Sequence, residues 1–144
     1  MEADGACQFR ALAYQLLGEQ SHHAVVRQVV IAHMRRHEAF FCIYFEAAGE
    51  FEVYLRKMAK PTTWGDELTL RAAAEAFGCV AHVITSEAAN WYLVYKSEEG
   101  DDSADVEAIL PRARLAPPPR GKDVMLAYVS PIHYNAVAVA AAPD

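Results

Sequence analysis

Apolar residues recur along the first half of the chain at helical spacing and along the second half in short runs. Phe9, Leu12, Ala13, Leu16 and Leu17 form one stripe over residues 7–17, and Gly18 is placed to stop that helix. Ser21 is set to cap a second helix reaching about His37, with Val25, Val26, Val29, Val30 and Met34 facing the core. Residues 40–48 are aromatic-rich and read as helical, ending near Gly49, and residues 51–58 read as a short helix closed by Pro61. Asp66-Glu67 opens a cleaner helix that carries Leu68, Leu70, Ala72, Ala73, Ala76 and Phe77 to a stop at Gly78.

Beyond Gly78 the period changes. Residues 79–85 read as a buried strand and 91–95 as a second, while 97–105 is a polar, acidic surface loop. Residues 106–110 read as a third short strand. Pro117-Pro118-Pro119 breaks regular structure, and two last strands, 124–129 and 134–139, are joined by a tight turn at Ser130-Pro131. Helices first and strands afterwards predict an α+β fold, a helical lobe packed against a small, mostly antiparallel β-sheet. At 144 residues the chain is expected to be a single domain spanning 1–144.

Composition narrows the function classes. The net charge is −6 with no sizeable basic run, which argues against nucleic acid as a partner and favours, weakly, a basic one. No apolar stretch approaches the ~20 residues needed to span a bilayer, and the start lacks a signal-peptide layout, so the expectation is a cytoplasmic or nuclear protein, not secreted and not membrane-bound. Three widely spaced cysteines, Cys7, Cys42 and Cys79, form neither a disulfide framework nor a paired zinc signature. Cys42 and Cys79 sit in apolar runs and read as inert core thiols.

Cys7 is different, because it stands behind Asp4-Gly5-Ala6 at the head of an apolar helix. A free thiol, with a pKa of ~8.5, is mostly protonated at neutral pH, and a helix N-terminus and a nearby imidazolium both favour the reactive thiolate. The backbone N–H groups of Gly5, Ala6 and Cys7 can converge into an oxyanion hole, where losing one donor typically costs ~3 kcal/mol of transition-state stabilisation. His133 opens the final strand, and Asn135, two residues on, is placed to orient its ring, with Asp4 as the competing orienter. A lone cysteine at a helix start, or a lone histidine on a strand, is more often structural; their joint appearance is what points to a thiol hydrolase.

These segments resemble the ovarian-tumour (OTU) domain cysteine proteases, deubiquitinases of papain-like fold. Asp4-Gly5-Ala6-Cys7-Gln8-Phe9-Arg10-Ala11 is similar to the family's first motif, Asp-Gly-Asn-Cys followed by a Phe-Arg-Ala helix. His133-Tyr134-Asn135-Ala136-Val137 is similar to its last. Between them, His23 to Arg27, Tyr54-Leu55-Arg56-Lys57-Met58 and Trp64-Gly65-Asp66 match further segments in order, and Trp64 to Ala74 looks most like the plant and algal branch. The resemblance implies a papain-like OTU fold and hydrolysis of the isopeptide bond after the C-terminal glycine of ubiquitin or a ubiquitin-like modifier. It also implies Cys7 as nucleophile, His133 as base and acid, Asn135 as orienter and Asp4 as support for the cysteine turn. Ubiquitin or polyubiquitin is then the partner of a monomeric enzyme, with no cofactor. The arginine-bearing tail of ubiquitin would suit a channel lined by acidic groups.

Three departures bear on activity. Ala6 replaces the family's asparagine, residues 90–120 are longer and more irregular, and Met1 stands only three residues before Asp4, where the family carries a preceding segment. The alternative is therefore a ubiquitin-binding pseudo-enzyme with a misaligned thiol; a third reading is a papain-like peptidase or transferase with unrelated substrates. Trp64 is expected to wedge the following helix into the core, and Trp64, Gly65 and Tyr134 are the candidate substrate contacts at the cleft edge. The run Phe40 to Phe45 is expected to pack internally. His33 and His37, four residues apart, have metal-ligand spacing, but Arg35 and Arg36 would repel a cation. A solvated helix face is the favoured reading there, and no metal is expected.

Overall fold

The computed structural model describes residues 5–86, 89, 91–97, 102–129 and 133–136, with 129 and 133–136 through the backbone alone. Helix α1 spans Cys7–Leu17 and α2 His23–Arg36; α3 (Glu38–Phe41), α4 (Glu50–Met58) and α5 (Glu67–Phe77) complete the helical lobe. Strands β1 (Val80–Thr85) and β2 (Tyr92–Tyr95) follow, then a sixth helix, α6 (Ala104–Ile109), and strands β3 (Asp123–Val129) and β4 (His133–Ala136). The strands form one sheet of order β2-β1-β3-β4. Its two outer pairings are antiparallel and its central β1–β3 pairing is parallel, so the sheet is mostly antiparallel, as expected.

The apolar stripes of α1, α2 and α5 build the core. Phe9, Leu12, Val26, Val29, Val30, Met34, Leu70 and Phe77 are buried together with Val83, Val124 and Leu126 of the sheet. Burial of such a side chain is worth ~1.5–3 kcal/mol. Helix α1 lies against β3 and β4, α5 against β1 and β2, and α2 packs on both helices. Gly18 and Gly78, with φ of 86° and 63°, end α1 and α5 in the left-handed conformation that the sequence pattern called for.

Several expectations are corrected. Ser21 does not cap α2: it lies in a short 3₁₀ turn and its hydroxyl donates to Glu19, while His22 precedes the helix without a side-chain cap. Residues 106–110 are helical, not a strand, because Val106 and Leu110 sit one turn apart and are buried together behind the acidic first turn of α6. The helix read over 40–48 ends at Phe41, followed only by a 3₁₀ turn over Cys42–Tyr44. Of the aromatic run, Phe41 is buried, Phe45 packs on Phe51 and Tyr54, and Phe40, Ile43 and Tyr44 are exposed. Residues 116–119 lie outside regular structure, as predicted. The Ser130-Pro131 turn and the 137–139 end of the last predicted strand lie outside the described residues.

Candidate active site

Cys7 is the first residue of α1 and only 1% exposed. Ala6, at the N-cap, has no side chain that can accept from the first helical amides, and Cys7 stands at the positive end of the α1 dipole. Its carbonyl accepts from the Arg10 amide at 2.8 Å, which closes the first turn. Gly5 is required by space: a Cβ there would lie 1.9 Å from the Thr62 carbonyl oxygen. The cysteine turn is thus pressed against the backbone that follows α4.

A set of polar side chains fixes this corner. Arg27 of α2 is 4% exposed and donates to the carbonyls of Met58 at 2.8 Å, Thr63 at 3.0 Å, Pro61 at 3.1 Å and Gly5 at 3.4 Å. Gln8, directly after the cysteine and fully buried, donates to the Asp66 carbonyl at 3.0 Å and accepts from the Thr69 hydroxyl at 2.7 Å. It also abuts Gly65, where a Cβ would come within 2.4 Å of the Gln8 Oε1. Asp66 and Thr69 form a reciprocal capping box at the head of α5. Tyr54 of α4 donates to the Asp66 carboxylate at 2.8 Å, and burial, then that carboxylate, hold its phenol far above the usual range, so it stays a donor.

The other end of the motif pair is carried by β4. Its register sets His133 opposite Val129, Tyr134 opposite Tyr128 and Asn135 opposite Ala127. Helix α1 packs against this strand, so the helix that Cys7 begins and the strand that His133 begins, from opposite ends of the sequence, are neighbours in the fold. Gln15, two turns after Cys7, sets that packing: its amide pairs with both main-chain groups of Met125 in β3, accepting from the N–H at 2.6 Å. Asp4 lies outside the described residues. Trp64 is 44% exposed, which overturns the wedge expected of it and leaves its ring at the surface beside Gly65.

The remaining thiols differ from Cys7. Cys79 is buried, and that burial pushes its thiol up to about 12, a protonated and inert group. Cys42 is only half-buried, with its Sγ directed at the Ala39 carbonyl, so it is not the core thiol expected. His33 is also not on a solvated face. It is 1% exposed and meets Glu75 at 2.9 Å, with Asp105 3.9 Å from its other ring nitrogen. Its neighbour His37 reaches Asp102, and Arg36 bonds both Asp102 and Asp105. Donor atoms of His33, His37 and Asp102 lie within 4.8 Å of one another, but the guanidinium already provides the positive charge there. Asp102 and Asp105 therefore belong to an ionic joint between α2 and α6, not to a solvated loop. Arg27, Gln8 and Gln15 were not singled out from sequence; the signal for each is a polar residue interrupting an apolar helix face.

Comparison with known proteins agrees with this architecture. The chain is 33% identical over 147 residues to the OVARIAN TUMOR DOMAIN-containing deubiquitinating enzyme 11 of Arabidopsis thaliana, covering all of this chain and 52% of that protein. It therefore spans about half the length of that relative. Among solved structures, the OTU domain of OTUD1 superposes with a TM-score of 0.70 at 18% identity, over 94% of this chain and 81% of that one. The Hazara virus OTU bound to ubiquitin gives 0.63 at 14% identity, over 99% and 80%. The sequence profile of the OTU-like cysteine proteases matches residues 2–134. With that match running from the cysteine turn into the histidine strand, the chain belongs to the OTU-like cysteine protease family.

Proposed function

We propose that this chain is a thiol deubiquitinase, hydrolysing the isopeptide bond after the C-terminal glycine of ubiquitin or a ubiquitin-like modifier. The observation that supports it most is the packing of β4, which carries His133 and Asn135, along the helix that Cys7 begins. The Arabidopsis relative is named as a deubiquitinating enzyme, and one structural neighbour was solved with ubiquitin bound.

In this reading His133 takes the Cys7 proton, and the thiolate adds to the glycine carbonyl carbon. The resulting oxyanion is held by the backbone N–H groups of Gly5, Ala6 and Cys7. The C–N bond then breaks, His133 returns the proton to the departing lysine amine, and a thioester remains. Water activated by His133 cleaves that thioester, releasing the glycine carboxylate and restoring the thiol. Asn135 orients the imidazole, and Asp4 braces the turn or shares that role. Trp64, exposed at the edge of the α5 cap, with Gly65 and Tyr134, contacts the modifier's tail. The chain works as one catalytic domain and a monomer, without cofactor, metal, nucleic acid or membrane, in the cytoplasm or nucleus.

A second reading is a ubiquitin-binding chain whose thiol is weak or silent, favoured by the burial of Cys7 and by Ala6 at its N-cap. Hydrolysis of diubiquitin by the wild-type chain, Cys7→Ala and His133→Ala separates the two. The enzyme reading expects turnover by the wild type alone. Ubiquitin binding without turnover would establish the second reading, and cleavage of short peptide amides but not diubiquitin would reject both.

A further inference from the structure

We infer that Arg27 is a positioning residue for the Cys7 turn, tying the chain on both sides of the thiol to the segment that follows α4. The inference rests on the reading of Cys7 as nucleophile, and it adds a residue that touches neither substrate nor reacting atoms.

The geometry is that of a clamp. One guanidinium nitrogen, Nη1, holds the Met58 and Thr63 carbonyls at 2.8 and 3.0 Å; the other, Nη2, holds Pro61 at 3.1 Å and Gly5 at 3.4 Å. The guanidinium carbon sits 4.1 Å above the centre of the Phe9 ring. Gly5 and Phe9 stand two residues before and two after Cys7, so a single side chain bears on both flanks of the thiol. The clamped segment is also the wall against which the turn is pressed, since the Thr62 carbonyl occupies the space a Gly5 side chain would need.

A buried guanidinium is tolerated only where its donors find acceptors, and here carbonyls of residues 58, 61 and 63 converge on it. Remove the cation and those dipoles repel one another and turn towards water. The loop then leaves Gly5, and the N–H groups at residues 5–7 lose their fixed direction. Lysine cannot replace the fork, because a single ammonium does not reach carbonyls spread along both edges of a planar group. A misplacement of about 1 Å costs on the order of 100-fold in a reaction that depends on alignment. The loss falls on the chemical step, because Arg27 is 4% exposed and offers a substrate almost no surface to bind.

The test uses the full chain with Arg27→Met, Arg27→Lys and, as a remote core control, Leu110→Ala, all assayed well below their melting temperatures. The readouts are the rate of adduct formation with ubiquitin bearing a C-terminal electrophile, its saturation constant, and hydrogen exchange at the amides of residues 6–9. Arg27→Met should lower the maximal adduct rate about 100-fold with the saturation constant changed less than threefold. Arg27→Lys should recover part of that loss, and Leu110→Ala should react at the wild-type rate despite a lower Tm. Exchange at 6–9 should quicken in Arg27→Met and not in Leu110→Ala. Rates for Arg27→Met within threefold of wild type, or a loss that Leu110→Ala shares at equal Tm, would overturn the inference. If Arg27→Met does not fold, Arg27→Lys decides alone: an adduct rate lowered about tenfold with faster exchange at 6–9 supports the inference, and a rate within threefold of wild type overturns it. If the wild-type chain forms no adduct, the nucleophile reading falls; faster exchange confined to Arg27→Met still supports the anchor, and unchanged exchange overturns it.

Discussion

Two arginines nine residues apart on α2 do opposite kinds of work. Arg27 is buried and holds neutral main-chain carbonyls beside the cysteine turn. Arg36, its side chain 43% exposed, holds the carboxylates of Asp102 and Asp105 at the far end of the same helix. Carbonyl acceptors carry no net charge and do not titrate, whereas the carboxylates do titrate, and the half-exposed Arg36–Asp102 pair is open to screening by salt while Asp105 is buried. The thiol end of the molecule is therefore fixed by a device that is insensitive to conditions, and the distal end by one that follows pH and ionic strength.

Substitutions that sharpen this contrast differ in size. Gly5→Ala should have the largest effect, because its Cβ meets the backbone of Thr62 and the loop must move. Overpacking of this kind costs about 1–3 kcal/mol, and the ubiquitin-adduct rate should fall on the order of 100-fold; unchanged rates would mean the turn is not pressed against that loop. Gln8→Leu, at the same end, removes the link to Asp66 and Thr69 and should cost about 1–3 kcal/mol in denaturant melts. Arg36→Gln should cost about 1 kcal/mol, and 1 M salt should reduce that difference through the more exposed Asp102 pair. An Arg36→Gln loss that is undiminished at high salt would break the comparison.

The smallest effect is in acid. Hydrogen bonding by Arg36 holds the Asp102 carboxyl well below its usual range. Glu75 is also lowered: burial opposes the shift, and hydrogen bonds from His33 and Arg71 outweigh it. Both groups ionise more readily folded than unfolded, so their stabilisation is complete above the ordinary carboxylate pKa of ~4 and is lost as pH falls through the depressed folded values. A Tm–pH curve for Asp102→Asn should accordingly be flatter than wild type below pH ~4.

The parts of the fold legible from sequence are those with a long local signal. Helices α1 and α5 each carry an apolar stripe of three turns closed by a left-handed glycine, and their observed ends agree with that pattern. The short helix over 51–58 was also legible and is α4, whereas the segments 40–48 and 106–110 were not. Over 106–110, four apolar residues in five fit a strand as well as a helix, and the docking of Val106 and Leu110 onto the helical lobe decides between them. Trp64 misled for a related reason, since an aromatic beside a cap suits a core wedge or an exposed cleft edge equally.

At the candidate site, Cys7, His133 and Asn135, the residues proposed to carry the chemistry, were visible as motifs, and the strand carrying the last two does pack along α1. The supports were hidden. Arg27 meets acceptors 22 to 36 positions away, Gln8 reaches across 58 to 61, and Gln15 across 110, separations no local period records. His33 misled in the same way: Glu75, 42 positions on, turns what looked like a solvated face into a buried joint.

The account's central claim is that the thiol at the head of α1 is the nucleophile, and the identity of the labelled cysteine tests it most directly. By accessibility alone, half-buried Cys42 should react before the 1%-exposed Cys7. Peptide mapping after reaction with ubiquitin bearing a C-terminal electrophile should instead find the adduct on Cys7, with Cys42 and Cys79 unmodified. An adduct on Cys42, or equal labelling in Cys7→Ala, would contradict the account.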